Sequence, residues 1–198
     1  MMMKEVSLKE EKIILTDCDG VLLAWEGAFH DWMIGKGFTK KAEATYDIST
    51  TFGIPKTLGK KLVKEFNESA WMGFLPAYKD ARSGVAKLVE HGWKFICITS
   101  LSLDQKAQML RISNLKNIFG KNVFIDVVCL DTGADKDDAL EQYRGNGCYW
   151  IEDKPENADL GLRIGLNSLL IAHGFNADYK GLCPRVKNWK EIYNIITG

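Results

Sequence analysis

KIILTDCDG, residues 12–20, is an apolar run that breaks off in two aspartates and a glycine. A short run of this kind, bounded by a turn signal, reads as a buried strand feeding a functional loop. Four further runs have the same character: Lys94–Thr99 (KFICIT), Val123–Val128 (VFIDVV), Cys148–Ile151 (CYWI) and Ser168–Ala172 (SLLIA). Their β-branched and aromatic content, with little polar alternation, predicts parallel strands covered on both faces.

Helical segments separate the runs. Lys79–His91 places Ala81, Val85, Leu88 and Val89 on one face, with Gly92 as its C-terminal stop. Leu103–Ile118 ends at Gly120, and Asp137–Tyr143 and Asn157–Ile164 supply two shorter helices. Alternation of strand and helix from about Lys79 onward predicts an α/β fold, a Rossmann-like doubly wound parallel sheet.

The interval 23–76 breaks that alternation. It is rich in aromatics, among them Trp25, Phe29, Trp32, Phe52, Phe66 and Trp71, and residues 57–68 carry Leu58, Leu62 and Phe66 at the steps of four of an amphipathic helix. This predicts a small helical cap inserted after the first strand, over that strand's C-terminal end, with residues 1–22 and 77–198 forming the core. Without a Gly/Ser-rich linker, the cap should be closely attached. Its large side chains are expected to serve its own thin core.

The 198 residues carry 26 Lys+Arg against 26 Asp+Glu, a formal net charge of +0, and 46% of them are hydrophobic. A single domain with a sizeable core fits these figures. The neutral balance gives no reason to expect nucleic acid or a membrane surface as partner. Five cysteines without a CxxC pair read as reduced thiols. The charged start, MMMKEVSLKEEK, has no apolar signal core, and no run reaches the roughly 18 apolar residues of a membrane span. The expectation is a soluble, cytoplasmic protein.

In open α/β sheets, ligands bind beyond the carboxyl ends of the strands. Asp17 and Asp19 end the first expected strand, Thr99 and Ser100 the second, and Glu152-Asp153 the one near residue 150, while Lys136 opens the helix before it. Clustered carboxylates need a cation or protons to coexist. Hard oxygen ligands suit Mg²⁺, which with Lys136 would offset the charge of a phosphoryl group. Asp17 could then attack phosphorus, and Asp19, two residues on, could protonate the leaving oxygen and later activate water.

These residues resemble the haloacid dehalogenase superfamily. Asp17-Cys18-Asp19-Gly20-Val21 matches its first motif, Thr99 the second, Lys136 the third and Glu152-Asp153 the acidic fourth, in the family's order and across nearly the whole chain. The resemblance implies Mg²⁺ held by Asp17, the Asp19 backbone carbonyl and Asp153, with Glu152 behind them, and an aspartyl-phosphate formed on Asp17. It implies phosphate contacts from Thr99 and Lys136; Ser100, the neighbouring strand-end hydroxyl, is a further candidate, and Lys154 and Lys106 are also available as the phosphate lysine. Because the dehalogenases lack the second aspartate, Asp19 favours phosphate esters.

DCDGVLLAWEGAF (17–29), FICITS (95–100), GFLPAYKDA (73–81) and NWKEI (188–192) resemble the 5′(3′)-deoxyribonucleotidase branch, which removes phosphate from nucleoside monophosphates. Trp25 falls where that branch places an aromatic near the base. The expected function is therefore a Mg²⁺-dependent phosphomonoesterase acting on a small soluble phosphate ester such as a (deoxy)nucleoside monophosphate. The alternatives are a sugar-phosphate phosphatase, a nucleic-acid end-processing phosphatase and a non-catalytic phosphate-binding module. The lysine runs Lys40-Lys41 and Lys60-Lys61-Lys64 bear on the second alternative, but such runs usually form a solvated helix face.

Overall fold

Each apolar run becomes a strand because its β-branched and aromatic side chains can be buried on both sides of a pleat. A computed structural model describes residues 12–42 and 45–198; the charged start, from residue 1 to residue 11, lies outside the described residues. Strands β1 (Ile13–Thr16), β2 (Lys94–Ser100), β3 (Phe124–Leu130), β4 (Tyr149–Glu152) and β5 (Asn167–Ile171) fall on the five expected runs. β3 lies somewhat further along the chain than expected, and a two-residue β6 (Arg185–Val186) was not expected. All pair in parallel, in the order β3-β2-β1-β4-β5-β6. The chain winds outward from β1 in one direction and from β4 in the other, so the crevice of this Rossmann-like sheet opens beyond β1 and β4.

Alternation along the strands splits the core in two. Ile13, Leu15, Ile96, Ile98 and Trp150 pack with Leu140, Tyr143 and Leu160, under α6 (Asp137–Glu141) and α7 (Pro155–Arg163). Ile14, Phe95, Cys97 and Ile151 pack with Val85, Leu88, Leu115, Trp189 and Ile192, under α4 (Ala81–Glu90), α5 (Gln105–Phe119) and α8 (Trp189–Thr197). The last helix was not expected. Asn188 caps it by accepting the Glu191 N–H at 3.0 Å.

Two helix starts differ from the sequence reading. α5 begins at Gln105 rather than Leu103, capped by Asp104, which accepts the Ala107 N–H at 2.8 Å. α7 begins at Pro155 rather than Asn157.

Between β1 and α4 the chain forms α1 (Trp25–Gly35), α2 (Ile48–Phe52), α3 (Lys56–Asn67) and a 3₁₀ turn at Ala70–Gly73. The excursion leaves and returns at one point. Ala24 N–H donates to the Pro76 carbonyl at 2.9 Å, and Tyr78 N–H to that of Leu22 at 2.8 Å. Phe29, Met33, Phe52, Leu62 and Phe66 form one continuous cluster with the sheet's core, so these aromatics are stabilised by more than a thin core of their own. Asn67, buried at the end of α3, accepts the Trp25 indole N–H at 2.8 Å and donates to the Leu101 carbonyl at 2.9 Å. No helix among the described residues is long and apolar enough to cross a membrane.

Candidate active site

The end of β1 is fixed from both sides. Asp17 N–H donates to the Ile151 carbonyl at 2.9 Å, which aligns the loop after β1 with the end of β4. Gly20 has φ +75°, and a Cβ there would strike the Asp153 carboxylate. Glycine is therefore what lets the DCDG loop close onto β4. His173 donates from Nε2 to the Gly20 carbonyl at 2.9 Å, and its ring stacks between Tyr78 and Phe175 at 5.0 and 4.9 Å. Burial lowers the His173 pKa, against the opposing pull of its hydrogen bond to Gly20.

Three carboxylates and one ammonium meet at this rim. Lys136 Nζ, 3% exposed, lies 2.7 Å from Asp17 Oδ1 and 2.8 Å from Glu152 Oε2. Burial alone would lower the Lys136 pKa, but the two carboxylates outweigh it and hold the group above its usual value. Asp17 is pushed up to about 7 by burial first and then by Glu152, against the pull of Lys136. Asp153 is raised by burial, Glu152 and Asp17. Burial also works to raise Glu152, but Lys136 and the neighbouring N–H groups hold it low. Glu152 is saturated: Oε1 accepts the N–H groups of Asp153 and Lys154, both at 3.1 Å, and Oε2 accepts Lys136 and, at 3.3 Å, Asn157.

One oxygen from each of Asp17, Glu152 and Asp153 lies within 4.8 Å of the others, in buried surroundings. This all-oxygen set fits a hard divalent cation, because one ammonium cannot offset three carboxylates. Asp17 and Asp153 keep lone pairs free for such an ion, whereas Glu152 is committed to orienting its neighbours.

Asp19 belongs to a different charge environment. Its carboxylate is gripped by Arg111 of α5, Nη1 to Oδ1 at 2.5 Å and Nη2 to Oδ2 at 3.1 Å. Arg111 is fully buried and also donates to Cys18 Sγ and Met72 Sδ. Burial alone would lower its pKa, yet Asp19 holds it high. At the end of β2, Thr99 Oγ1 is buried and without a hydrogen-bond partner among the described residues. Ser100 Oγ donates to the Ala134 carbonyl at 2.7 Å, tying β2 to the loop that carries Lys136.

No protein-family model matches the chain. A relative at 27% identity over 193 residues, covering 91% of this chain and 68% of its own, is an uncharacterized 32.4 kDa protein of Enterobacteria phage T4 from the Gp30-rIII intergenic region. Among solved structures, a haloacid dehalogenase-like hydrolase, SP0104 from Streptococcus pneumoniae, superposes with a TM-score of 0.64 over 94% of this chain and 99% of its own, at 14% identity. The D,D-heptose 1,7-bisphosphate phosphatase from B. bronchiseptica, complexed with magnesium and phosphate, reaches 0.57 over 93% and 97% at 11% identity. The fold is that of the haloacid dehalogenase-like hydrolases.

On this haloacid dehalogenase-like fold, a cavity of about 790 Å³ opens above the three carboxylates. Asp17, Asp19, Thr99, Ser100, Lys136, Glu152, Asp153 and Trp25 all line it, so these residues singled out from the sequence reach one space. Lys154 lines it too, whereas Lys106 does not. Trp25 contributes little free surface, since its ring stacks on Phe29 at 4.7 Å and its edge meets Phe66. Tyr46, 60% exposed and lining the cavity, offers more.

Arg111, His173 and Tyr46 were missed from the sequence. Arg111 did leave a signal: Ala107, Arg111, Asn114 and Leu115 form the buried stripe of α5. Two polar residues on a helix's core face require buried partners.

Proposed function

We propose that this chain is a phosphomonoester hydrolase in which Asp17 is the nucleophile and Asp19 the general acid/base, with residues 23–76 as a cap over the site. The observation that carries this reading is the convergence of three separate segments: oxygens of Asp17, Glu152 and Asp153 lie within 4.8 Å of one another, and Lys136 pairs with the first two.

Asp17, Asp153 and the Asp19 backbone carbonyl would hold a divalent cation, with Mg²⁺ the first choice. When bound, that ion would neutralise charge on the phosphoryl group and on the carboxylates around it. Lys136 supplies a fixed positive charge beside the Asp17 oxygen. Thr99 Oγ1, buried and unpartnered among the described residues, is available to donate to a phosphoryl oxygen. An Asp17 oxygen forms a bond to phosphorus as the bond to the leaving oxygen breaks, and Asp19 delivers the proton which that oxygen needs. Asp19 then takes a proton from water, the water oxygen attacks phosphorus, and Asp17 is released with inorganic phosphate. Arg111 holds the Asp19 carboxylate in place, and Ser100 positions the loop of Lys136.

The favoured substrate is a small soluble phosphate ester, with a (deoxy)nucleoside monophosphate first among candidates. Tyr46, rather than the largely covered Trp25, offers the aromatic surface for a base. The test is hydrolysis of p-nitrophenyl phosphate with and without Mg²⁺, by the wild type and by Asp17→Asn. Turnover that requires the cation and the aspartate is the expected result. Equal turnover in the two proteins would refute the assignment.

A further inference from the structure

Among the lysines of the two sequence runs, only Lys60 and Lys64 line the cavity, and Lys56 joins them; Lys40, Lys41 and Lys61 do not. The wall they form is one face of α3. Lys56, Gly59, Lys60, Val63, Lys64 and Asn67 all line the cavity, at the i, i+3, i+4, i+7, i+8 and i+11 spacing of a helical stripe. Leu62 and Phe66 on the adjacent face are buried in the core, which fixes the helix's rotation and points the lysine stripe inward.

This charge is only partly answered on the protein, although Glu26, Asp47 and Asp131 line the same cavity. Lys60 has no ion-pair partner among the described residues. Lys64 Nζ stands 3.8 Å from Glu68, a carboxylate that also accepts Ser102 Oγ. Lys56 lies near Asp47, whose oxygens are taken by Ser49 and Thr50. With a rise of 1.5 Å per residue, the three lysines are about 6 Å apart and span about 12 Å of wall. The reacting phosphoryl group is served at the floor by Lys136 and Thr99, so the stripe is left to meet a different anionic group on the same molecule.

We propose that the substrate carries a second phosphate, held by Lys56, Lys60 and Lys64 while the first reacts at Asp17. This rests on the phosphohydrolase reading and moves its first candidate from a simple nucleoside monophosphate to phosphomonoesters bearing a further phosphate or phosphodiester. The shared chemistry has two sources, a small bisphosphate or a phosphorylated oligonucleotide end, and both belong in the test.

kcat/KM is to be measured for a nucleoside 5′-monophosphate, the matching 3′,5′-bisphosphate and a short 5′-phosphorylated oligonucleotide. The comparison uses the wild type, Lys60→Gln/Lys64→Gln and, as control, Lys61→Gln on another face of α3. The wild type should favour at least one substrate with a second phosphate group over the monophosphate by about tenfold or more, the scale of one charge-assisted contact. That ratio should fall towards one in the double variant, through KM, and persist in the control. Raised salt should erode it, since the lysines are exposed. Preference for the bisphosphate alone, or for the oligonucleotide alone, identifies the source. A wild-type ratio near one, or a ratio unchanged in the double variant, overturns the inference. Titration calorimetry of the same ligands on Asp17→Asn reads the ratio without turnover, so a chain inactive towards every ester would refute the phosphohydrolase reading and still decide this one.

Discussion

Replacing Asp17 by asparagine is expected to stabilise the cation-free protein while removing its activity. In the folded chain, burial and then Glu152 push Asp17 from 3.8 up to about 7, even with Lys136 pulling the other way. A carboxylate whose folded pKa exceeds its unfolded one favours the fold fully below the unfolded value. It loses that contribution as pH rises through the folded value, here between about pH 4 and pH 7. The whole displacement corresponds to about 4 kcal/mol. Asparagine has nearly the same shape and never ionises, so the variant escapes the loss. Lys136 would still be paired with Glu152 at 2.8 Å, and no buried charge would be abandoned.

The two proteins should therefore match near pH 4. Above pH 7, in a chelator, the variant should lead by about 2–4 kcal/mol, on the order of 4–16 °C in Tm for a chain of this length. Thermal melts in EDTA at pH 5 and pH 8 measure the gap and its pH dependence. A variant no more stable than the wild type at pH 8, or a gap of the same size at both pH values, would refute the account of the carboxylate cluster. Stability gained where catalytic groups are neutralised is a common trade-off, because a reactive centre is assembled against its own repulsion.

Saturation with Mg²⁺ at about 100 times its Kd should raise the stability of the wild type at pH 8 by about 2.7 kcal/mol. Asp153→Asn should show a much smaller rise in the same calorimetric scan. Arg111→Met should cost about 3 kcal/mol by urea denaturation, because it strips Asp19 of its cation in a largely buried pair. It should also depress turnover and shift the pH profile of the residual activity, with Arg111→Lys recovering part of both. Gly84→Ala should cost about 1–3 kcal/mol, because its Cβ would run into Trp189 where α4 packs on α8; an unchanged denaturation midpoint would show that the two helices can part without loss.

The site was legible in the sequence where chemistry sits at the end of a strand. Asp17, Thr99 and Asp153 are placed by the register of β1, β2 and β4, and local pattern is enough to find a strand's end. Lys136 follows the same logic at the start of α6. Arg111 obeys no such rule. It is one cation within a helix of mixed composition, and only the burial of its stripe separates it from Lys106 or Lys116. Lys60 and Lys61 show the same limit. They are adjacent in the chain, yet only the rotation of α3 about its buried Leu62 and Phe66 decides which faces the cavity. The final helix did announce itself, through Asn188, Glu191 and the isoleucines at 192, 195 and 196, but β6 is too short for any periodicity to emerge.

The two aspartates of DCDG are separated by one residue and sit in opposite electrostatic surroundings. Asp17 stands among carboxylates and shares one lysine with Glu152; Asp19 has a guanidinium largely to itself. Alternation alone would put residues two apart on one face, but β1 ends at Thr16 and both aspartates lie in the loop after it, where Asp19 reaches Arg111 of α5. The cation of one site cannot serve the other, because Lys136 comes from the start of α6 whereas Arg111 rises from the middle of α5. A nucleophile and a proton carrier so close in sequence need environments that separate their behaviour. The proposed division of roles thus depends as much on Arg111 and Glu152, which need never touch substrate, as on the aspartates themselves.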